Sequence, residues 1–167
     1  FFWREEKDVI DWIQVLLTPR KFQVNNLGRL EKYGLDFGLR WQNRIMNSSL
    51  NYLYTQIDTG KINYISKYVL RSPVHQISFS LSHYLPWGIQ QSWSGVYKKR
   101  ADEKGYFNLS GKVDKKIKNI EIFLEGTNLL NESYEEVLGV PQPGRWFWTG
   151  LKINLYVPQD GQKEGGK

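Results

Sequence analysis

The stretch QISFSLSHYL, Gln76 to Leu85, decides the fold. Ile77, Phe79, Leu81 and Leu85 share one parity, and Gln76, Ser78, Ser80 and Ser82 share the other. His83 breaks the apolar row near its end. Alternation with a period of two gives an extended chain one apolar and one polar face; a helix would need a period of 3.6.

Working outward, the same pattern recurs on both sides. Leu35, Phe37, Leu39 and Trp41 oppose Asp36, Gly38, Arg40 and Gln42. Phe107, Leu109, Gly111 and Val113 oppose Asn108, Ser110, Lys112 and Asp114. Ile120, Ile122 and Leu124 oppose Glu121, Phe123 and Glu125, and Leu151, Ile153, Leu155 and Val157 oppose Lys152, Asn154 and Tyr156. The alternation predicts strands over 1–16, 21–42, 45–57, 74–85, 88–99, 105–115, 118–130 and 146–157. Most reach the ~9–11 residues that a membrane-crossing strand needs. Tight links near Asn43–Arg44, Pro86–Trp87 and Lys116–Ile117 alternate with longer ones at 58–73, 100–104 and 131–145. The link at 17–20 is brief but joins two overlong strands. Short turns on one side and long loops on the other are the outer-membrane barrel pattern, with the short turns periplasmic. By that parity the C-terminus falls on the periplasmic side.

Composition narrows the class. The 167 residues include no Cys, which excludes disulfides and thiolate metal sites. The formal charge is +6, but the basic residues are scattered, several of them at turns (Lys98, Lys99, Arg100; Lys115, Lys116, Lys118), which argues against nucleic acid as a partner. Aromatic residues make up 15% of the chain, mean hydropathy is negative, and no apolar run approaches the ~20 residues of a membrane helix. A polar average with abundant Trp and Tyr suits a barrel whose strands show only every second residue to lipid. Phe1 to Trp3 read as the inside of a strand with no secretory signal before them, so a fragment is expected in preference to a processed mature chain. Alternation alone leaves open whether the apolar face points inward, as in a soluble barrel, or outward to lipid.

No catalytic constellation is present, and neither enzyme activity, cofactor nor metal is expected. His75 and His83 would lie about 26 Å apart along one strand, too far to share a metal. Glu121 and Glu125, at about 13 Å, are too far apart for a glycosidase pair. Glu132, Glu135 and Glu136 read as a solvated run. Of Trp12, Trp87, Trp93, Trp146 and Trp148, those near strand ends fit the membrane interface, where amphipathic rings are favoured. Trp148 shares its parity with Lys152 and Asn154 and is the best candidate for a lumen-facing aromatic.

The segment from Glu125 to Leu155, EGTNLLNESYEEVLGVPQPGRWFWTGLKINL, resembles the last two strands and final extracellular loop of TonB-dependent outer-membrane receptors, especially the vitamin B12 and siderophore branch. The matching residues are Asn128, Leu129, Leu130 and Asn131, then Tyr134 and Glu135, Gly139, then Pro143, Gly144 and Arg145, and Gly150. Upstream, Asp8–Trp12 resembles the family's "DLID" strand. Asn26-Leu27-Gly28 followed by Gly34-Leu35-Asp36 resembles its "NVG…GVE" strand, and Arg71, Pro73 and His75 resemble its "R-x-P-x-H" motif. The resemblance spans about residues 7–155. Physics gives these residues structural roles first: Pro143 and Gly144 punctuate a loop, and Asn128 and Asn131 can cap backbone groups where the ladder ends. Arg145 is as suited to pairing with Glu135 or Glu136 as to touching a ligand.

The resemblance implies an all-β, antiparallel transmembrane segment of about eight strands, residues 1–157, within a plugged barrel of about 22 strands. The polar tail at 158–167 is expected to be disordered. Also implied are a bacterial outer-membrane location and active uptake of an iron–siderophore complex or cobalamin. The partners would be outer-membrane lipid, the TonB complex acting through a plug encoded upstream, and the barrel assembly machinery. The loops at 58–73 and 131–145, with Trp148, Arg40, Glu121 and Glu125 on the lumen face, would contribute to the ligand vestibule. The family usually ends on an aromatic residue, whereas here Pro158 and a polar tail follow Val157. The alternatives are a self-contained eight-stranded outer-membrane barrel and a soluble lipocalin-like carrier.

Overall fold

The computed structural model describes residues 1–15, 21–58, 64–101 and 103–154. Along the chain the strands are β1 (Phe2–Glu6), β2 (Ile10–Val15), β3 (Gln23–Asn26), β4 (Leu30–Gln42), β5 (Met46–Asp58), β6 (Tyr64–Ser66), β7 (His75–Leu85) and β8 (Ile89–Lys99). They continue with β9 (Tyr106–Ile117), β10 (Ile120–Thr127), β11 (Glu135–Val137), β12 (Val140–Pro141) and β13 (Trp146–Ile153). Short 3-10 turns occupy Val69–Arg71 and Pro86–Gly88.

Eight of these strands form one sheet in the order β1-β4-β5-β7-β8-β9-β10-β13, every neighbouring pair antiparallel. Each corresponds to one strand expected from the sequence. The first two expected strands are shorter in the sheet than the alternation suggested. Their hairpin breaks on both arms at one level, at Asp8 (φ +53) and Gly28 (φ +73). Val9 N donates to Gly28 O at 3.2 Å and Leu27 N to Val9 O at 2.7 Å, holding the two breaks together. Beyond them β2 and β3 leave the main sheet and join β6 in a sheet of their own. The overlength read from the sequence is therefore a bent hairpin and not a straight extension. The loop after β10 also contains structure, the β11–β12 hairpin. The expected end of the last strand at Val157 and the tail at 158–167 lie outside the described residues.

Three short turns close the opposite end of the sheet. In the first, Asn43 Oδ1 accepts from Ile45 N (2.9 Å) and Met46 N (2.8 Å), an Asx turn that local side-chain chemistry favours. In the second, Trp87 (φ +64) and Gly88 (φ +71) are both left-handed, and in the third Lys118 (φ +53) is.

The register sorts the side chains cleanly. Rows such as Leu39–Leu50–Phe79 and Ile122–Leu151 run across one face. Rows such as Arg40–Ser49–Ser80–Ser94–Ser110 run across the other. We refer to these as the apolar and polar faces. Nothing among the described residues covers the apolar face: Leu35, Phe37, Leu39 and Trp41 are all exposed, and Leu151 is 67% exposed. The buried apolar residues, Ile13, Leu30 and Tyr106, belong to other places, the β2 sheet and the polar face. The chain exposes 12918 Å² for a mass of 19.7 kDa, where a compact soluble protein of that mass exposes about 8,600 Å². An open, one-layer sheet gives such an excess.

Candidate functional site at the loop side of the sheet

The polar groups that could contact a solute cluster where the long loops leave the sheet. Arg100, at the end of β8, is 6% exposed and serves as the hub. Its Nε donates to Arg71 O (2.8 Å), its Nη1 to Glu103 Oε2 (3.2 Å) and Glu135 O (3.1 Å), and its Nη2 to Glu136 Oε2 (3.2 Å). Arg71 Nη1 pairs with the other oxygen of Glu103 at 2.6 Å. Lys98 Nζ and Tyr106 Oη both reach Glu136 Oε1, at 2.6 and 2.8 Å. One planar guanidinium thus ties together three loops, those after β6, β8 and β10. A fork of fixed donors suits this task as a lysine would not. Burial pushes the Glu136 carboxyl up, but the Lys98 and Tyr106 hydrogen bonds and the Lys98 and Arg100 charges outweigh it and hold the group below its ordinary value.

A second node lies in the β2 sheet. Asp11 is 2% exposed; its carboxylate accepts from Trp12 N (2.7 Å), Val69 N (3.1 Å) and the Ser66 hydroxyl. Ser66 Oγ in turn accepts from Leu70 N at 2.9 Å. Asp11 therefore fixes the 3-10 turn, and with it Arg71, beneath the loop cluster.

A third node is Asn128, just past β10, with φ +48 and a buried side chain. Its Nδ2 donates to Glu132 O (2.8 Å) and Pro143 O (3.1 Å), and its Oδ1 accepts from Glu132 N (2.8 Å). Leu129 N reaches back to Leu109 O at 2.8 Å. Asn131 (φ +53) accepts from Arg145 N on Oδ1 at 3.0 Å. Both ends of the long loop are pinned by amides that satisfy backbone groups where the ladder stops. Tyr134 accepts from Asn108 Nδ2 (2.7 Å) and stacks on Tyr106 with centroids 4.5 Å apart. Glu135 Oε2 accepts from the N–H of Gly139, whose φ is +75.

Of the residues singled out in the sequence, Asn128, Leu129, Asn131, Tyr134, Glu135, Gly139, Pro143 and Gly144 come together as the frame of this loop. Gly150 lies apart, beneath the Phe123 ring, which would meet an added Cβ at 2.7 Å. Arg145 is exposed and pairs with neither Glu135 nor Glu136. Glu136, read above as part of a solvated run, is instead held by Lys98 and Arg100, because three loops converge on it.

Trp148, Glu125, Glu121 and Arg40 all lie on the polar face. Trp148 is directly opposite Glu125, and Glu121 lies four residues further along β10. Arg40 is on β4, five strand spacings away, so the structure does not gather the four into one site. Trp146, Trp148, Asn108, Thr127 and Tyr134 line an open hollow of about 310 Å³ near the loop side. Glu103 and Tyr106 were not singled out in the sequence, and Arg100 and Lys98 were read only as basic residues at a turn. Partners such as Arg100 and Glu136, 36 positions apart, leave no local signal.

The architecture defines a class: an antiparallel sheet with one bare apolar face, one polar face and loops pinned at one end, the form of a wall segment of a large β-barrel. No protein-family model matches the chain, and no curated protein does. Among solved structures, the chain resembles the FrpB iron transporter from Neisseria meningitidis (F3-3 variant), with a TM-score of 0.64 and 16% identity. The match covers 89% of this chain and 26% of that one, so the chain spans about a quarter of the transporter's length. The likeness is one of fold, and the eight-stranded sheet corresponds to part of the FrpB barrel.

Proposed function

We propose that the chain is part of the barrel wall of an outer-membrane receptor that takes up an iron chelate, driven by an inner-membrane complex of the TonB type. The observation that carries this is the uncovered apolar face. Burying apolar area is worth about 25 cal/mol per Å², and a soluble protein would not leave a whole sheet face in water. Lipid is the solvent that removes the penalty. Aromatic residues bound this face, with Tyr33, Tyr54 and Tyr97 toward the loops and Trp41 toward the turns. From Tyr33 to Trp41 is about 27 Å along the strand, or about 20 Å of height after tilt, close to the apolar band of such barrels.

The self-contained barrel and the lipocalin-like carrier both need β1 to pair with β13. Among the described residues these two strands are the free edges of the sheet. An open edge in lipid is costly, so further strands must complete the wall. The iron-chelate reading is preferred to cobalamin because FrpB is an iron transporter. In this reading the pinned loops and the Trp146–Trp148 hollow border the vestibule, and the assembly machinery inserts the barrel. The test is uptake of radiolabelled ferric chelates and of labelled cobalamin by cells with and without the gene, each with and without TonB. Loss of one ferric chelate only when the gene or TonB is missing supports the proposal; unchanged iron uptake, or loss of cobalamin alone, contradicts it.

A further inference from the structure

The apolar face is interrupted near its short-turn end by His83, Gln91 and Lys115. His83 is directly opposite Gln91, and Gln91 is diagonal to Lys115, because Gln91 opposes Val113 while Ile89 opposes Lys115. Directly opposite side chains in such a ladder lie about 5 Å apart and diagonal ones about 7–8 Å, so the three form one polar island. Its surroundings are apolar: Leu85 and Ile122 share the row of Ile89 and Lys115, and Trp87, 82% exposed, projects from the adjoining turn. His83 Nδ1 is enclosed and has no hydrogen-bond partner. Lys115 is exposed and makes no ion pair among the described residues. The neighbouring carboxylate, Asp114, faces the other way and is held by Lys112 at 3.5 Å. Arg44, Lys116 and Lys118 add positive charge at the same end.

We propose that this island is a binding site for the headgroup of an anionic glycerophospholipid in the leaflet on the short-turn side. The proposal rests on the membrane reading above. The phosphodiester would lie against Lys115, within reach of the Gln91 amide. The acyl chains would run along the aliphatic residues on either side. Charge complementarity selects the anionic headgroup, and the apolar flanks select a lipid over a free phosphate. A lysine on a lipid-facing strand costs least near the interface, which is where Lys115 lies. Trp87 adds an amphipathic ring at the same depth.

The experiment uses the natural full-length protein in bilayer nanodiscs, with phosphatidylglycerol and phosphatidylcholine competing for it and retained lipid read by native mass spectrometry. Wild type should retain phosphatidylglycerol preferentially, and Lys115→Gln should cut that preference about fivefold, the worth of one basic residue at a charged membrane surface. Lys115→Arg should keep the preference, as should Lys152→Gln on the polar face. Heat-shifted gel migration shows that each variant is folded. Equal retention of both lipids by wild type, or an unchanged preference in Lys115→Gln, overturns the proposal. Displacement by glycerol 3-phosphate alone also overturns it, in favour of a free phosphate ligand. Protein that does not enter bilayers overturns the membrane reading itself, whereas protein that enters without lipid preference overturns only this proposal.

Discussion

The ring of Phe79 lies over Gly95, its direct opposite on β8, in the space where a side chain of residue 95 would stand. Phe107 closes in from the other side: an added Cβ at Gly95 would meet its ring at 2.9 Å, and the two rings stack with centroids 6.2 Å apart. The arrangement recurs where Trp93 covers Gly111 and Phe123 covers Gly150. A ring laid over a cross-strand glycine shields backbone that would otherwise be open, and it fixes register.

Gly95→Val should therefore destabilise the folded protein by about 2 kcal/mol, through overpacking and not through loss of contact. Adding Phe79→Leu should recover part of the loss, because the smaller side chain vacates the space. Urea midpoints of the refolded protein in detergent, with both single variants measured, give the coupling between the two positions.

Removing the hub of the loop cluster should loosen three loops at once. Arg100→Gln leaves the Glu103 and Glu136 carboxylates and three backbone carbonyls short of donors. Because both carboxylates are more than a third exposed and water can replace part of what is lost, the cost should be about 1–2 kcal/mol. Hydrogen exchange should quicken in residues 64–72, 103–106 and 131–142 while β5, β7 and β8 stay protected. Faster exchange throughout the sheet would mean that Arg100 supports the fold and not only the loops.

The same cluster should respond to acid. The Glu136 carboxyl is held below its ordinary value in the folded state, so the opened loops bind more protons than the closed ones. Its contribution is complete above the ordinary glutamate value of about 4.3 and is lost as pH falls through the lower folded value. Loop exchange should rise below about pH 4 in the wild type. Glu136→Gln should flatten that dependence, with the loops already loosened at neutral pH.

Asn128 should be more sensitive than its neighbours. Asn128→Ala loses three hydrogen bonds and places a Cβ residue without a side-chain partner at φ +48. The expected loss is about 2–3 kcal/mol. Asn131→Ala, which gives up one accepted bond from Arg145 N, should lose about 1 kcal/mol. Thermal midpoints of the two variants order them directly.

The sheet was legible because its signal is local. Parity at Gln76–Leu85 or Leu35–Gln42 assigns a face to every residue, and the eight strands of the wall follow from it. The bend at Asp8 and Gly28 was harder to read, since alternation continues through both breaks and only a positive φ at a single residue ends each strand. Asn128, Pro143 and Gly144 carried a turn signal, and they do frame the final loop. The Arg100 cluster carried none: its members come from β8, the start of β9 and three loops, and neither periodicity nor spacing links Arg71, Glu103 and Glu136. Arg145, marked by motif, forms no ion pair among the described residues, while Glu136, passed over as solvated, forms two. Charge in a loop becomes specific only when the fold brings distant partners together.

The most direct test of the account is a single-cysteine scan of residues 35–42; these 167 residues contain no cysteine, and any elsewhere in the full-length protein is first replaced by serine. Each variant of the full-length protein is placed in vesicles carrying spin-labelled lipid, tagged with a fluorophore, and assayed for lipid quenching and for reaction with a membrane-impermeant thiol reagent. The account predicts a period of two, with positions 35, 37, 39 and 41 quenched by lipid and positions 36, 38, 40 and 42 open to the aqueous reagent. The inverse pattern, or uniform aqueous access along the strand, would contradict a wall whose apolar face lies against lipid.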